Sequence, residues 1–229
     1  MVYHLYITSK NYSSWSMRPW VLMRELSIPF HEEMAELISG IGHQPHWKAF
    51  SPTGCESLAI VEYLAENHPD KAIYPLLASS PTASAEAQRK ARAARAWARS
   101  ATAEMHAGFA AVRDEMGMNV GLRIQLEELD EDNKPVISAA LARDLARLDE
   151  LWSEGLAKFG GPFLAGDKFG AVDAFFAPVV LRLQTYAVKE WVEAALGETG
   201  REVLHDEDSV RGRRVLEDLR AVAAAAVDV

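Results

Sequence analysis

The chain has 229 residues, 49% hydrophobic and 25% charged, proportions that suit a globular protein and exclude a disordered one. Its formal charge of -9 argues against nucleic acid or an anionic membrane as the main partner. This length accommodates one domain or two small ones, with roughly 70–75% of the unfolded surface buried on folding.

Cys55 is the only cysteine, so no internal disulfide is expected. The N-terminus lacks a basic segment followed by an apolar one, and the longest apolar run near the C-terminus, residues 221–227, is far too short to span a bilayer. These features give the expectation of a cytoplasmic protein without a membrane or nucleic-acid partner. The arginines of residues 89–99 recur at helical spacing with alanines between them and read as a solvated helix face.

In chain order, residues 2–8 read as a strand, and Trp15, Leu22, Met23 and Leu26 recur at the spacing of one helical face. Between them lies Ser13-Ser14-Trp15-Ser16-Met17-Arg18-Pro19-Trp20, a strand-to-helix turn. Serine is favoured there because its oxygen accepts from a free helix N–H, and Pro19 is tolerated near the first turn. The same N–H groups and the positive end of the helix dipole also stabilise an anion such as a thiolate.

A second strand is expected over residues 30–37, then a His-, Gly- and Pro-rich loop over 38–54 and a helix over 56–67 with Leu58, Val61, Leu64 and Ala65 on one face. The order β-α-β-loop-α predicts a small α/β unit with a right-handed crossover. Residues 75–84, rich in Pro, Ser and Ala, read as a linker, which places domains at 1–78 and 85–229. The second is all helical by pattern: residues 85–116, then 135–159 with Ile137, Leu141, Leu145, Leu148, Leu151 and Trp152 in one stripe, then 171–186 and two shorter helices. Glycines 160, 161, 166 and 170 punctuate the turn before residue 171, and the acidic run 127–132 reads as a solvated loop.

Several stretches in this order resemble the cytosolic glutathione transferases. The segment from Tyr12 to Trp20 looks like the serine motif of bacterial and zeta-like members; Ser51-Pro52-Thr53-Gly54 resembles the family's Asn/Ser-Pro-x-Gly; and Glu56-Ser57-Leu58-Ala59-Ile60 begins a run like its Glu-Ser-x-Ala-Ile. Phe163-Leu164-Ala165-Gly166-Asp167 and Ala171-Val172-Asp173-Ala174 resemble the buried turn that starts the family's core helix. The resemblance spans nearly the whole chain and implies a thioredoxin-like α/β unit followed by an all-α domain.

Two departures stand out. The family has a β-hairpin, opening on a cis proline that bonds the cysteinyl backbone of glutathione, between the Pro-x-Gly stretch and Glu-Ser; here Cys55 alone separates Gly54 from Glu56. Two strands and a turn need on the order of a dozen residues. The expected sheet therefore has two strands: either part of the glutathione site is lost or the sequence is a shortened form of an ordinary member. Gly170 stands where the family usually has a Ser or Thr helix cap facing Asp173. Glycine is worse there by only a few tenths of a kcal/mol.

The resemblance implies glutathione as cosubstrate, its thiol activated for attack on a small electrophile. A free thiol of pKa near 8.5 needs about 2.7 kcal/mol of differential stabilisation for a two-unit shift. One hydroxyl donor supplies roughly 1.5–3 and a helix N-terminus roughly 0.3–2 kcal/mol. By position relative to Arg18, Ser13 matches the family's catalytic serine, with Ser14 as the fallback; Glu56 and Ser57 match the pair that receives the γ-glutamyl end. Tyr12, Trp15 and Met105 are candidates for the electrophile pocket, Met105 being read first as a core methionine.

Cys55 begins the predicted helix, where a thiol's pKa falls, and reads either as a nucleophile or as a small apolar residue closing a shortened loop. His43 and His46 have a metal-site spacing, but no further clustered ligand completes a set, so no metal is expected. No phosphate-cradling glycine motif occurs. The competing readings are a binding or scaffold protein with a degenerate glutathione site and a lyase or isomerase using the same cleft. The resemblance also implies a homodimer, with an altered dimer or a monomer as the alternative because the missing hairpin normally joins that contact.

Overall fold

The computed structural model describes residues 2–35, 56–77, 84–122, 124 and 136–186. Strand β1 (Tyr3–Ile7) leads into helix α1 (Ser14–Glu25) and then strand β2 (Phe30–Met34). The strands pair in parallel with Tyr3 opposite Phe30 and Ile7 opposite Met34, so the described sheet has two strands. Helix α2 (Ser57–Asn67) follows, and then the helical half: α3 (Ala85–Ala107), α4 (Ala110–Glu115), α5 (Ala139–Phe159) and α6 (Ala171–Thr185).

Four of the six described helices begin where the sequence supplies a side-chain cap. Ser13, Ser84 and Ser138 each accept from the backbone N–H three residues on, and Glu56 accepts from Leu58 and Ala59, each satisfying donors that the first helical turn leaves free. The stripe of α5 is buried as its spacing predicts, with Leu145 and Leu148 at 0% exposure. The expected helix over 85–116 is instead two. Gly108 caps α3, and Phe109, with φ of 57°, turns the chain in the left-handed region before α4. That conformation disfavours a side chain by roughly 1–2 kcal/mol. Phe109 is nevertheless buried, its ring edge-on to Phe176 at 6.2 Å, and this packing holds it there.

Two arginines close the break. Arg113 donates to the carbonyls of His106 and Gly108 at the end of α3, and Arg182 of α6 donates to those of Arg113 and Met116 at the end of α4. Cations suit helix C-termini, where carbonyls are unpaired and the dipole is negative.

One contiguous hydrophobic cluster runs from Leu5 and Ile7 through Leu22, Val61 and Tyr74 to Leu148, Phe175 and Leu183, so the α/β half and the helical half share a core. Helix α1 packs on α6, where Met17 meets Leu181 in a smaller cluster. Part of the arginine run joins the halves and is not merely a solvated face. Arg99 binds Glu62 of α2 at 2.7 Å, and both Arg95 and Arg99 lie over the ring of buried Tyr74, which donates to Glu62 at 2.6 Å. The expected linker loses residues 78–83 to the undescribed part of the chain, where the loop 38–54, Cys55, His43, His46, the acidic run 127–132 and the two C-terminal helices also fall.

Candidate functional site

Backbone geometry fixes the serine turn. Ser13 is extended, with φ of -108°, and its Oγ accepts from Ser16 N at 3.2 Å; this uses a lone pair and leaves the O–H a potential donor. Ser14 is buried at 5% exposure. Ser16 ties the turn to the end of β1 by accepting from Thr8 N at 3.1 Å.

Glu56 caps α2. Its Oε2 accepts from Leu58 N at 2.8 Å and Ala59 N at 3.0 Å, while Oε1 accepts from the Ser57 hydroxyl at 3.1 Å. Ser57 is 3% exposed. His106, at the end of α3, connects the two turns. Its Nδ1 lies 3.4 Å from Glu56 Oε1, and its ring meets Trp15 edge-on with centroids 4.9 Å apart. A histidine on the helical half thus links Trp15, in the first turn of α1, to Glu56 at the start of α2.

The pocket candidates separate. Tyr12 and Trp15 are 63% and 46% exposed, so Trp15 leaves the buried face expected for it, while Leu22 and Met23 keep it. Met105 is 2% exposed within the main core, and its neighbour His106 is the residue that reaches the turns. A cavity of about 190 Å³ beside Ile73, Ala98 and Asp173 is lined by none of these candidate residues.

The feature that spacing did not single out is Arg18. It is 1% exposed, with its guanidinium 4.8 Å from the Phe175 ring centre and 5.5 Å from that of Trp15. Among the described residues its Nε and Nη1 have no hydrogen-bond partner. Burial, then the guanidinium of Arg113, lowers its pKa to about 10; Glu56 pulls the other way and Arg182 adds to the lowering. Arg18 stays charged at neutral pH, and a buried charge without a hydrogen-bonded partner costs several kcal/mol. The only signal in the sequence was a cation inside the otherwise apolar second turn of α1, Met17-Arg18-Pro19-Trp20.

The sequence matches no family model and no curated protein sequence. Solved structures do align with it along almost its whole length. Glutathione transferase F2 from Populus trichocarpa superposes with a TM-score of 0.55 at 18% identity, over 95% of this chain and 99% of that one. The chain has the glutathione transferase fold. Two further structures with that fold are rice GST1 in complex with glutathione (TM-score 0.50, 16% identity, 95% and 85% covered) and maleylacetoacetate isomerase from Methylobacterium extorquens with bound malonate and glutathione (0.50, 19%, 95% and 97%). The glutathione transferase fold accounts for a small α/β half followed by a helical one. Among the described residues no group of three or more His, Cys, Asp or Glu side chains is placed to hold a metal, and no helix is long and apolar enough to cross a membrane.

Proposed function

We propose that the serine turn and the start of α2 together bind glutathione and activate its thiol for attack on a small electrophile, by transfer or isomerisation. Ser13 is the thiol's hydrogen-bond donor, its O–H available while its lone pair caps α1, and Ser14 is the alternative donor. Glu56 and Ser57 receive the γ-glutamyl end: the carboxylate faces the ammonium group, and the Ser57 hydroxyl, now turned to Glu56, rotates toward the γ-glutamyl carboxylate. The observation that carries this reading is the His106 bridge, which holds Glu56 and Trp15 against one ring. Glutathione bound in rice GST1 and in the maleylacetoacetate isomerase supports the choice of ligand.

The test is a thermal shift with millimolar glutathione together with turnover of a generic aromatic electrophile. The parent chain is expected to shift upward. Ser57→Ala loses most of the shift, and Ser13→Ala keeps it while losing turnover by about tenfold or more, the worth of one hydroxyl donor to a charged acceptor. An unmoved melting temperature at millimolar glutathione would sink the reading and leave a binding or scaffold role. A homodimer in the cytoplasm goes with this proposal, and sedimentation of the full chain measures its first part.

A further inference from the structure

The cavity of about 190 Å³ is lined by neither the serine turn nor Glu56 and Ser57. The segment after α2 contributes Ile73, Pro75 and Leu76, α3 contributes Ala98, and the start of α6 contributes Ala171 and Val172, so both halves of the chain wall it. Ala98 and Ala171, 1% and 0% exposed, leave space that a larger side chain would take. An apolar cavity of about 150 Å³ holds benzene, so this one has room for a single ring and an atom or two more.

The charged residues that line it are Asp167, Lys168 and Asp173. Two carboxylates against one ammonium disfavour an anionic ligand. Leu76, Asp167 and Lys168 are exposed and mark the mouth, whereas Asp173 belongs to the turn that opens α6. Its carboxylate accepts from Leu164 N and Gly170 N, both at 2.9 Å, and from its own backbone N–H. A carboxylate has about four acceptor sites, so one is left. Burial raises its pKa to about 6 despite those bonds, the mark of a carboxylate short of donors.

We infer that this cavity is a second binding site, for a small uncharged phenol whose single ring lies among Ile73, Ala98 and Val172 and whose hydroxyl donates to Asp173. A phenolic hydroxyl is more acidic than an aliphatic one and makes the stronger bond to a carboxylate. The ring replaces water against apolar walls, and the bound molecule touches the α/β half and the helical half at once. The site is independent of glutathione, since none of Ser13, Ser14, Glu56 or Ser57 lines it.

The probes are 4-fluorophenol, fluorobenzene and 4-fluorobenzoate, each titrated with the full chain and followed by fluorine NMR. The resonance of 4-fluorophenol should broaden and shift to saturation at one site. Fluorobenzene, which lacks the donor to a charged acceptor, should bind about tenfold or more weakly, and 4-fluorobenzoate weaker still. Ala98→Leu fills the cavity from α3 and should weaken 4-fluorophenol about tenfold or more; Ala72→Leu, at a half-buried wall position, carries the same test if Ala98→Leu does not fold. Millimolar glutathione should leave the 4-fluorophenol titration unchanged. The site is overturned by the absence of saturation, by fluorobenzene or 4-fluorobenzoate binding as tightly as 4-fluorophenol, by unchanged binding in a folded filling variant, or by displacement with glutathione. Saturable 4-fluorophenol binding without a glutathione thermal shift removes the proposed function and leaves this site standing; the reverse result removes this site alone.

Discussion

Asp173 accepts from Leu164 N and Gly170 N, both at 2.9 Å, and so closes the turn that opens α6. Burial nevertheless outweighs these bonds and raises its pKa to about 6 from the usual 3.8. Between those values the folded chain holds a proton that the unfolded chain has released. Its contribution is therefore fully present below pH 3.8 and lost as the pH rises through 6. In urea titrations the stability advantage of the parent over Asp173→Asn should shrink by on the order of 2 kcal/mol from pH 4 to pH 7. An advantage that grows with pH would contradict this. Gly170 belongs to the same turn: a Cβ there would come within 3.0 Å of the carbonyl oxygens of Ala72 and Ile73, and Ala171 N donates to Ile73 O at 2.7 Å. The residue that departs from the family's usual cap is the one that lets the α/β half approach the helix start. Sequence alone registered the missing hydroxyl, whereas the close approach involves residues a hundred positions away.

Among the elements, those with a clean stripe were readable in advance. The leucines of α5 recur at the spacing of one face, but the helix begins after the Ser138 cap and not at the expected residue 135. The break at Gly108–Phe109 was not readable, because a left-handed phenylalanine is chosen by its contact with Phe176 on another helix and not by local preference. Nor did spacing single out His106. It follows Met105 by one residue and lies at the end of an alanine-arginine helix, and only the packing of α3 against α1 and α2 gives it a partner. The same dependence on neighbours makes α5 fragile at Gly155. A Cβ there would lie 2.5 Å from both the Leu164 carbonyl oxygen and a ring carbon of Trp97. Gly155→Ala should gain up to about 1 kcal/mol of helix propensity yet lose net stability by about 1–3 kcal/mol through overpacking. Thermal unfolding would register a fall of roughly 2–4 °C per kcal/mol; a stabilised variant would mean that the backbone at Leu164 gives way easily.

At the level of the molecule, one hydrophobic cluster spans the change of texture near residue 80. Leu22 and Val61 belong to the same cluster as Leu148 and Phe175, and Tyr74 with Glu62 and Arg99 adds a polar tie. Far-UV circular dichroism and calorimetry should therefore trace one transition, with Arg99→Ala lowering its midpoint without splitting it. Two separated transitions would show that the halves are stable apart. Helix α1 carries the serine turn at one end and packs into α6 just beyond it, through Met17 on Leu181 and Arg18 on Phe175. A chimera that grafts the helical half onto a foreign α/β half at the junction would therefore inherit a lock cut for another key. Recombination between relatives is constrained to exchange α1 and α6 as a matched set.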